Sequence, residues 1–107
     1  MAVRRDDKGE EEGGVKTAPK SKVEKPPMYR VMFHNDNYTP MEFVVAVLQE
    51  VFKHSLAAAT RIMLQVHQSG AGVAGVYTKD IAETRVERAM VMARKSGHPL
   101  QLSMEPE

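Results

Sequence analysis

The chain has 107 residues, of which 42% are hydrophobic and 27% charged, a composition typical of a small globular protein with one domain. The formal net charge of +1 gives no indication of a nucleic-acid-binding surface. Because the chain contains no cysteine, disulfide bonds, thiol catalysis and thiolate metal sites are excluded. No apolar run approaches the roughly 18 residues of a membrane span and no signal peptide is recognisable, so we expect a cytoplasmic protein.

The first segment of the chain, residues 1–27, is rich in charged residues, Gly and Pro, with seven Lys or Arg against six Asp or Glu. Such a segment offers too little apolar surface to offset the entropy lost on ordering, so we predict a flexible N-terminal extension. Pro26 and Pro27 mark its boundary. Residues 28–107, with eight basic and eight acidic residues, form the predicted domain.

The domain begins with MYRVMF at residues 28–33, where apolar residues alternate with Arg30, and this period of two predicts a half-buried strand. A first helix is predicted to start at Pro40. Thr39 can accept a hydrogen bond from a first-turn amide and Glu42 can reach back, which together would form a capping box. The apolar residues that follow recur at spacings of three and four, as one buried helical face requires.

A second helix is predicted between a Ser55 cap and a terminator at Ser69 and Gly70, with His67 in its last turn. Its predicted apolar face consists of Leu56, Ala59, Ile62, Met63 and Val66. The next segment, AGVAGVYT at residues 71–78, has too many glycines for a helix and is predicted to be a strand that something approaches closely.

A third helix is predicted from about Lys79 to Gly97, because acidic residues lie in its first turns and basic residues in its last. The final segment, LQLSM at residues 100–104, alternates apolar and polar residues as a strand with one buried face does. The order is therefore β-α-α-β-α-β, which favours an α+β two-layer sandwich with three strands packed on three helices.

Enzymatic chemistry is weakly supported by the motifs of the chain. GAGVAG at residues 70–75 matches a dinucleotide-binding pattern, but it follows a helix and enters a strand, which is the wrong context. No nucleophile elbow is present, and the four histidines lack an H-x-x-x-H spacing. We therefore predict a protein that is not an enzyme and has no metal or other cofactor. A metal-dependent hydrolase built on His34, Asp36 and His67 stays open on spacing alone.

The polar corner before the first helix has two readings. Asn35, Asp36 and Asn37 each suit a turn or a strand exit, and His67 alone suits a helix end. If the first two predicted helices pack as a hairpin, these polar residues form an acceptor cluster beside an apolar pocket of methionines and valines from the two helices. Such a site suits a ligand with an ammonium group and an apolar side chain. A plain docking module without an amine pocket is the alternative.

Three stretches, NDNYTPMEFV, ATRIMLQVHQSGAGVAGVYTKDIAETRVE and GHPLQLSME, resemble the ClpS adaptors of bacterial and plastid AAA+ proteolysis. The resemblance covers residues 28–107 and implies an antiparallel three-stranded sheet. It also implies a monomeric adaptor that binds proteins starting with Leu, Phe, Tyr or Trp, known as N-degrons. The adaptor would deliver them to the ClpA-type unfoldase of the ClpAP protease, and the N-terminal extension would be engaged by the pore of that unfoldase.

The resemblance also implies roles for individual residues. The α-amino group would be held by Asn35, Asp36, His67 and Thr39. The hydrophobic pocket would be formed by Met41, Val44, Met63, Val66 and Leu100. Met41 would limit the entrance and reject β-branched residues, and His67 would act as a neutral acceptor. Docking to the unfoldase would involve Asp80 and Arg85. Asn37 stands where the family usually has Asp, which removes a negative charge beside the ammonium site or merely changes a cap, and of the polar residues His34 and Asn37 suit a turn role best.

Overall fold

The computed structural model describes residues 25–107, which form three strands and three helices in the predicted order. The strands are β1 (Met28–His34), β2 (Ala71–Thr78) and β3 (Gln101–Pro106). The helices are α1 (Met41–Glu50), α2 (Leu56–Ser69) and α3 (Lys79–Ser96). The predicted α+β fold is confirmed. Most of the predicted extension, residues 1–24, lies outside the described part of the chain, and residues 25–27 are exposed.

The sheet is antiparallel and has the order β2-β1-β3, so β1 lies in its centre. Val31 and Phe33 point from β1 to the helices and have no exposed surface, while the intervening residues face away from them. On that opposite face, Arg30 lies 3.3 Å from a carboxylate oxygen of Glu105 on β3. The alternation predicted for the first strand is therefore confirmed, and it places the core on one side of the sheet.

A β-bulge interrupts the pairing of β1 with β2. Val31 pairs with Gly75 and the next residue, Met32, pairs with Val73, so that Ala74 is an extra residue on β2. The carbonyl of Ala74 accepts a hydrogen bond from Nε2 of His54, in the connection between α1 and α2. This bond gives the carbonyl of the buried Ala74 a hydrogen-bond partner, and it ties the connection between the first two helices to the sheet.

Helix α3 packs across all three strands. Its buried residues, Ala82, Ala89 and Ala93, are all small, so the helix can lie close to the sheet. It ends at Gly97, whose φ of 74° lies in the left-handed region that glycine adopts without strain. None of the helices in residues 25–107 combines the length and the hydropathy that crossing a bilayer requires.

Two local predictions are wrong. The Thr39 hydroxyl donates to Asp36 and accepts no amide of α1, while the amides of Phe43 and Val44 bond to the carbonyl of Pro40. Leu56 was expected on the buried face of α2, yet 62% of its surface is exposed. It is the first residue of α2, one turn before Ala59, which is the first residue of this helix in the core.

Candidate functional site

A cavity of about 230 Å³ lies where the end of β1, the start of α1 and the end of α2 meet. Its walls come from the polar corner, from the first turn of α1 and from the last turns of α2. The residues that line it are Asn35, Asp36, Asn37, Thr39, Met41, Val44, Met63, Val66 and His67. Pockets for drug-sized ligands measure roughly 300–1,000 Å³. This cavity therefore suits a ligand of about one amino-acid residue.

The cavity brings together eight of the nine residues that the sequence suggested for ligand binding. All four predicted to hold an α-amino group line it, as do four of the five predicted for the hydrophobic pocket. The exception is Leu100, which has only 2% of its surface exposed and belongs to the core below the cavity. Asn37, for which we favoured a turn role, also lines the cavity. The signals for this were its position between Asp36 and Thr39 and the Asp that the family usually has there.

The polar corner is organised by the carboxylate of Asp36. One of its oxygens accepts hydrogen bonds from the amides of Tyr38 and Thr39, both at 2.7 Å. Its other oxygen accepts a bond from the Thr39 hydroxyl, also at 2.7 Å. A carboxylate has about four acceptor sites, so three bonds leave capacity for a further donor. The corner is thus a pre-formed turn with a negative charge at its centre.

The pKa of the Asp36 carboxyl lies below its usual value. Partial burial raises this pKa, but hydrogen bonds from the amide and hydroxyl of Thr39 and from the amide of Tyr38 outweigh burial. The charge of His98 lowers it further. All of these partners stabilise the ionised form, so Asp36 is a carboxylate at neutral pH.

Helix α2 is held beside this corner by two backbone features. The amide of Asn35 donates to the carbonyl of Gly70, the residue that ends α2, at 2.9 Å. Gly72 on β2 faces the same helix, and a Cβ at this position would lie 2.9 Å from a methyl group of Val66. The absent side chain lets β2 and α2 approach closely. These contacts bring His67 to the acceptors of the corner.

The cavity is polar at one side and apolar at the other. His67 is exposed in the last turn of α2, whereas Val44 and Val66 are 7% and 3% exposed and form the apolar wall. Met41 is 41% exposed, so this residue lies at the surface of the molecule where the cavity opens. An ammonium group and an apolar side chain on adjacent atoms could occupy the two sides together.

The three residues of the hydrolase alternative do not come together. His34 lies outside the cavity, where its Nε2 forms a hydrogen bond of 2.7 Å with the hydroxyl of Ser103 on β3. Asp36 and His67 both line the cavity, so only two of the three residues lie at one site. Within residues 25–107, no group of three His, Asp or Glu side chains is arranged to hold a metal ion.

The two residues suggested for docking to an unfoldase have different environments. Asp80 is exposed in the first turn of α3. Arg85 is half-buried, donates to the carbonyl of Val51 at the end of α1, and lies 5.4 Å from the centre of the Tyr77 ring. Arg85 therefore already ties α3 to α1 and β2.

Comparison with known families agrees with this geometry. The family model described as "ATP-dependent Clp protease adaptor protein ClpS" matches residues 24–103, which is most of the chain. The chain belongs to the ClpS family. A ClpS protein from Desulfatibacillum aliphaticivorans is 56% identical over 101 residues, covering 94% of this chain and 97% of the relative. One from Myxococcus xanthus is 58% identical over 93 residues, covering 87% of each chain.

A solved structure of a ClpS protein has the same fold. Agrobacterium tumefaciens ClpS2 bound to L-phenylalaninamide superposes with a TM-score of 0.75 at 42% identity. The match covers 78% of this chain and 100% of the other. The family resemblance inferred from the sequence motifs and the sandwich fold are therefore both confirmed, and the protein is a protease adaptor of the ClpS type.

Proposed function

We propose that this ClpS-family protein binds proteins whose first residue is Leu, Phe, Tyr or Trp and delivers them to a ClpA-type unfoldase that feeds ClpP. It acts in the cytoplasm as a monomeric adaptor and catalyses no reaction itself. The observation that carries this proposal is a cavity of about 230 Å³ that joins an acceptor cluster to an apolar wall. Only the first residue of a chain carries an ammonium group and an apolar side chain on the same carbon atom.

The ammonium group has three N–H donors and needs three acceptors around it. Asp36 supplies a carboxylate, Asn35 a side-chain carbonyl, and His67 a ring nitrogen when it is neutral. Hydrogen bonds to a charged group contribute about 1.5–3 kcal/mol each. An internal residue has no α-ammonium group, and an internal Lys carries its ammonium at the end of its own side chain, so only a free N-terminus presents these donors next to an apolar side chain.

The side chain of the first residue would occupy the apolar side of the cavity. Val44, Met63 and Val66 line this side, and burying a Leu or Phe side chain contributes about 1.5–3 kcal/mol. Micromolar affinity needs a net gain of about 8 kcal/mol after the cost of association is met, so the contributions of the amine and the side chain are both required. Specificity follows because both groups must be present on the same residue.

The ligand of the related Agrobacterium structure has the chemistry that this proposal requires. L-phenylalaninamide carries a free α-amino group, a large apolar side chain and an amide in place of its carboxylate. It therefore resembles the first residue of a polypeptide. Eight of the residues expected to bind such a group line one cavity of this chain.

The test is a titration with matched peptides that start with Leu or Phe and have either a free or an acetylated N-terminus. Acetylation removes the charge and two of the three donors, so we expect affinity to fall at least about 100-fold, measured by calorimetry or fluorescence anisotropy. Equal affinity for the two forms would disprove the proposal and favour a docking module without an amine site.

Substitution of Met41 with Ala is expected to widen the range of accepted first residues. Ile and Val branch at Cβ, directly beside the amine, and Met41 at the opening of the cavity restricts the width available there. We expect the wild-type protein to discriminate against Ile by about 10- to 200-fold relative to Leu, as a crowded apolar site can. In Met41→Ala this ratio should fall below about tenfold, whereas Met32→Ala, on the opposite face of the sheet, should retain it.

Docking to the unfoldase is proposed to centre on Asp80 at the start of α3. Asp80 is exposed and free to meet a basic group of a partner. Arg85 contributes indirectly, because its guanidinium contacts Val51 and Tyr77 and so holds the start of α3 in place.

A further inference from the structure

We propose that Tyr38 contacts the second residue of a bound protein, so that affinity depends on that residue as well as on the first. The inference rests on the proposed function, because it requires that the first residue occupies the cavity. It assigns a specificity role to a side chain that does not itself line the cavity.

Tyr38 combines high exposure with a place beside the cavity. Its exposed fraction is 78%, the largest among the exposed large hydrophobic residues of the described chain. Single exposed apolar residues are common, so exposure alone means little. However, the neighbours of Tyr38 on both sides, Asn37 and Thr39, line the cavity, and consecutive Cα atoms are about 3.8 Å apart. The side chain of Tyr38 therefore begins at the edge of the cavity, here called the rim.

The backbone that carries this ring is held firmly. The amide of Tyr38 donates to Asp36 at 2.7 Å, and Thr39 is bound to the same carboxylate through both its amide and its hydroxyl. A tyrosine side chain has only two torsion angles, so little conformational entropy is lost when the ring meets a partner. Rigid exposed aromatic rings of this kind are typical of binding surfaces.

The path of the bound chain brings its second residue to this ring. The cavity of about 230 Å³ holds about one residue, so the rest of the chain must leave across the rim. One extended residue advances the chain by about 3.3–3.6 Å, which places the second residue at the rim itself. An aromatic second residue can stack on the face or edge of Tyr38, whereas Gly offers no side chain. Such ring contacts correspond to about a two- to tenfold gain in affinity.

The experiment titrates two peptides that start with Leu-Phe and Leu-Gly and are otherwise identical. Four proteins are compared: the wild type, Tyr38→Ala, Tyr38→Phe and the control Leu56→Ala. Leu56 is also highly exposed, at 62%, but lies eleven residues before His67 on α2, or about 16 Å along the helix. Thermal melting of each variant verifies folding, which the exposure of Tyr38 should leave intact.

We expect the wild type to bind the Leu-Phe peptide about two- to tenfold more tightly than the Leu-Gly peptide. Tyr38→Ala should bring this ratio close to one, while Tyr38→Phe and Leu56→Ala should retain it. A wild-type ratio of one, an unchanged ratio in Tyr38→Ala, or a ratio lost in Tyr38→Phe would each overturn the inference.

N-acetylated versions of both peptides separate this inference from the proposed function. If acetylation abolishes binding but the ratio does not depend on Tyr38, only the role of Tyr38 fails. If the acetylated peptides bind as tightly as the free ones, the amine site fails and the role of Tyr38 fails with it.

Discussion

Replacing Asp36 with Asn is expected to weaken binding of a peptide with N-terminal Leu by about 10- to 100-fold, while the melting temperature changes little. Asn keeps one carbonyl oxygen that can accept the amides of Tyr38 and Thr39, and its NH₂ group can donate to the Thr39 hydroxyl. The turn is therefore preserved. The negative charge that faces the ammonium group is lost, and so is one of its acceptors.

Two comparisons give this prediction its controls. Asp36→Ala removes the acceptors of the turn as well, so it should lower both affinity and melting temperature. Because the folded pKa of Asp36 lies below its value in the unfolded chain, its ionised form stabilises the fold above about pH 4, and this contribution is lost as the pH falls through the lowered pKa. The free energy of unfolding of Asp36→Asn should therefore not show this loss at acidic pH. Wild-type affinity in Asp36→Asn would contradict the assignment of Asp36 to the amine.

Replacing Phe33 with Ala is expected to lower the free energy of unfolding by about 3–5 kcal/mol. Phe33 has no exposed surface, lies in the central strand, and packs edge-on against Phe52 with 5.5 Å between ring centres. Truncation leaves a cavity between sheet and helices and removes this aromatic pair. Domains of this size have a total stability of about 5–15 kcal/mol, so the loss is a large share. Urea denaturation measures it directly.

The neighbouring residue provides a matched control. Met32 precedes Phe33 on β1 but points to the opposite, partly exposed face of the sheet. Met32→Ala removes a side chain of similar length, and its cost should be about 1 kcal/mol or less. Equal destabilisation by the two variants would mean that the core does not lie on the side of the sheet described above.

Several of the predictions that the structure confirms depend on short segments. The alternation of MYRVMF places Val31 and Phe33 in the core, and Ser55 caps α2 by accepting the amide of Ala58 at 3.1 Å. Gly70 and Gly97 end their helices in the left-handed conformation. These features arise from steric preferences and hydrogen bonds within a few residues, so the sequence contains all the information they need.

The sequence is less informative where a side chain has a choice of partners. Thr39 is a residue type typical of helix caps, but its amide and its hydroxyl both donate to Asp36 and it accepts no amide of α1. Docking by Arg85 stays a prediction, and only the packing of α3 on β2 brings this residue to Tyr77 and Val51. Residue spacing does not distinguish between such partners, whether they lie three residues away, as Asp36 does from Thr39, or 34 residues away, as Val51 does from Arg85.

By itself, the sequence determined the order of the elements, the buried face of β1 and, through its motifs, the family. Tertiary structure decided that the polar corner and His67 share one cavity, because the bond from Asn35 to Gly70 joins segments 35 residues apart and the close approach at Gly72 lets β2 lie against α2. It also decided that Leu100 belongs to the core and Asn37 to the cavity wall. Contacts between distant segments depend on packing, which no local pattern encodes.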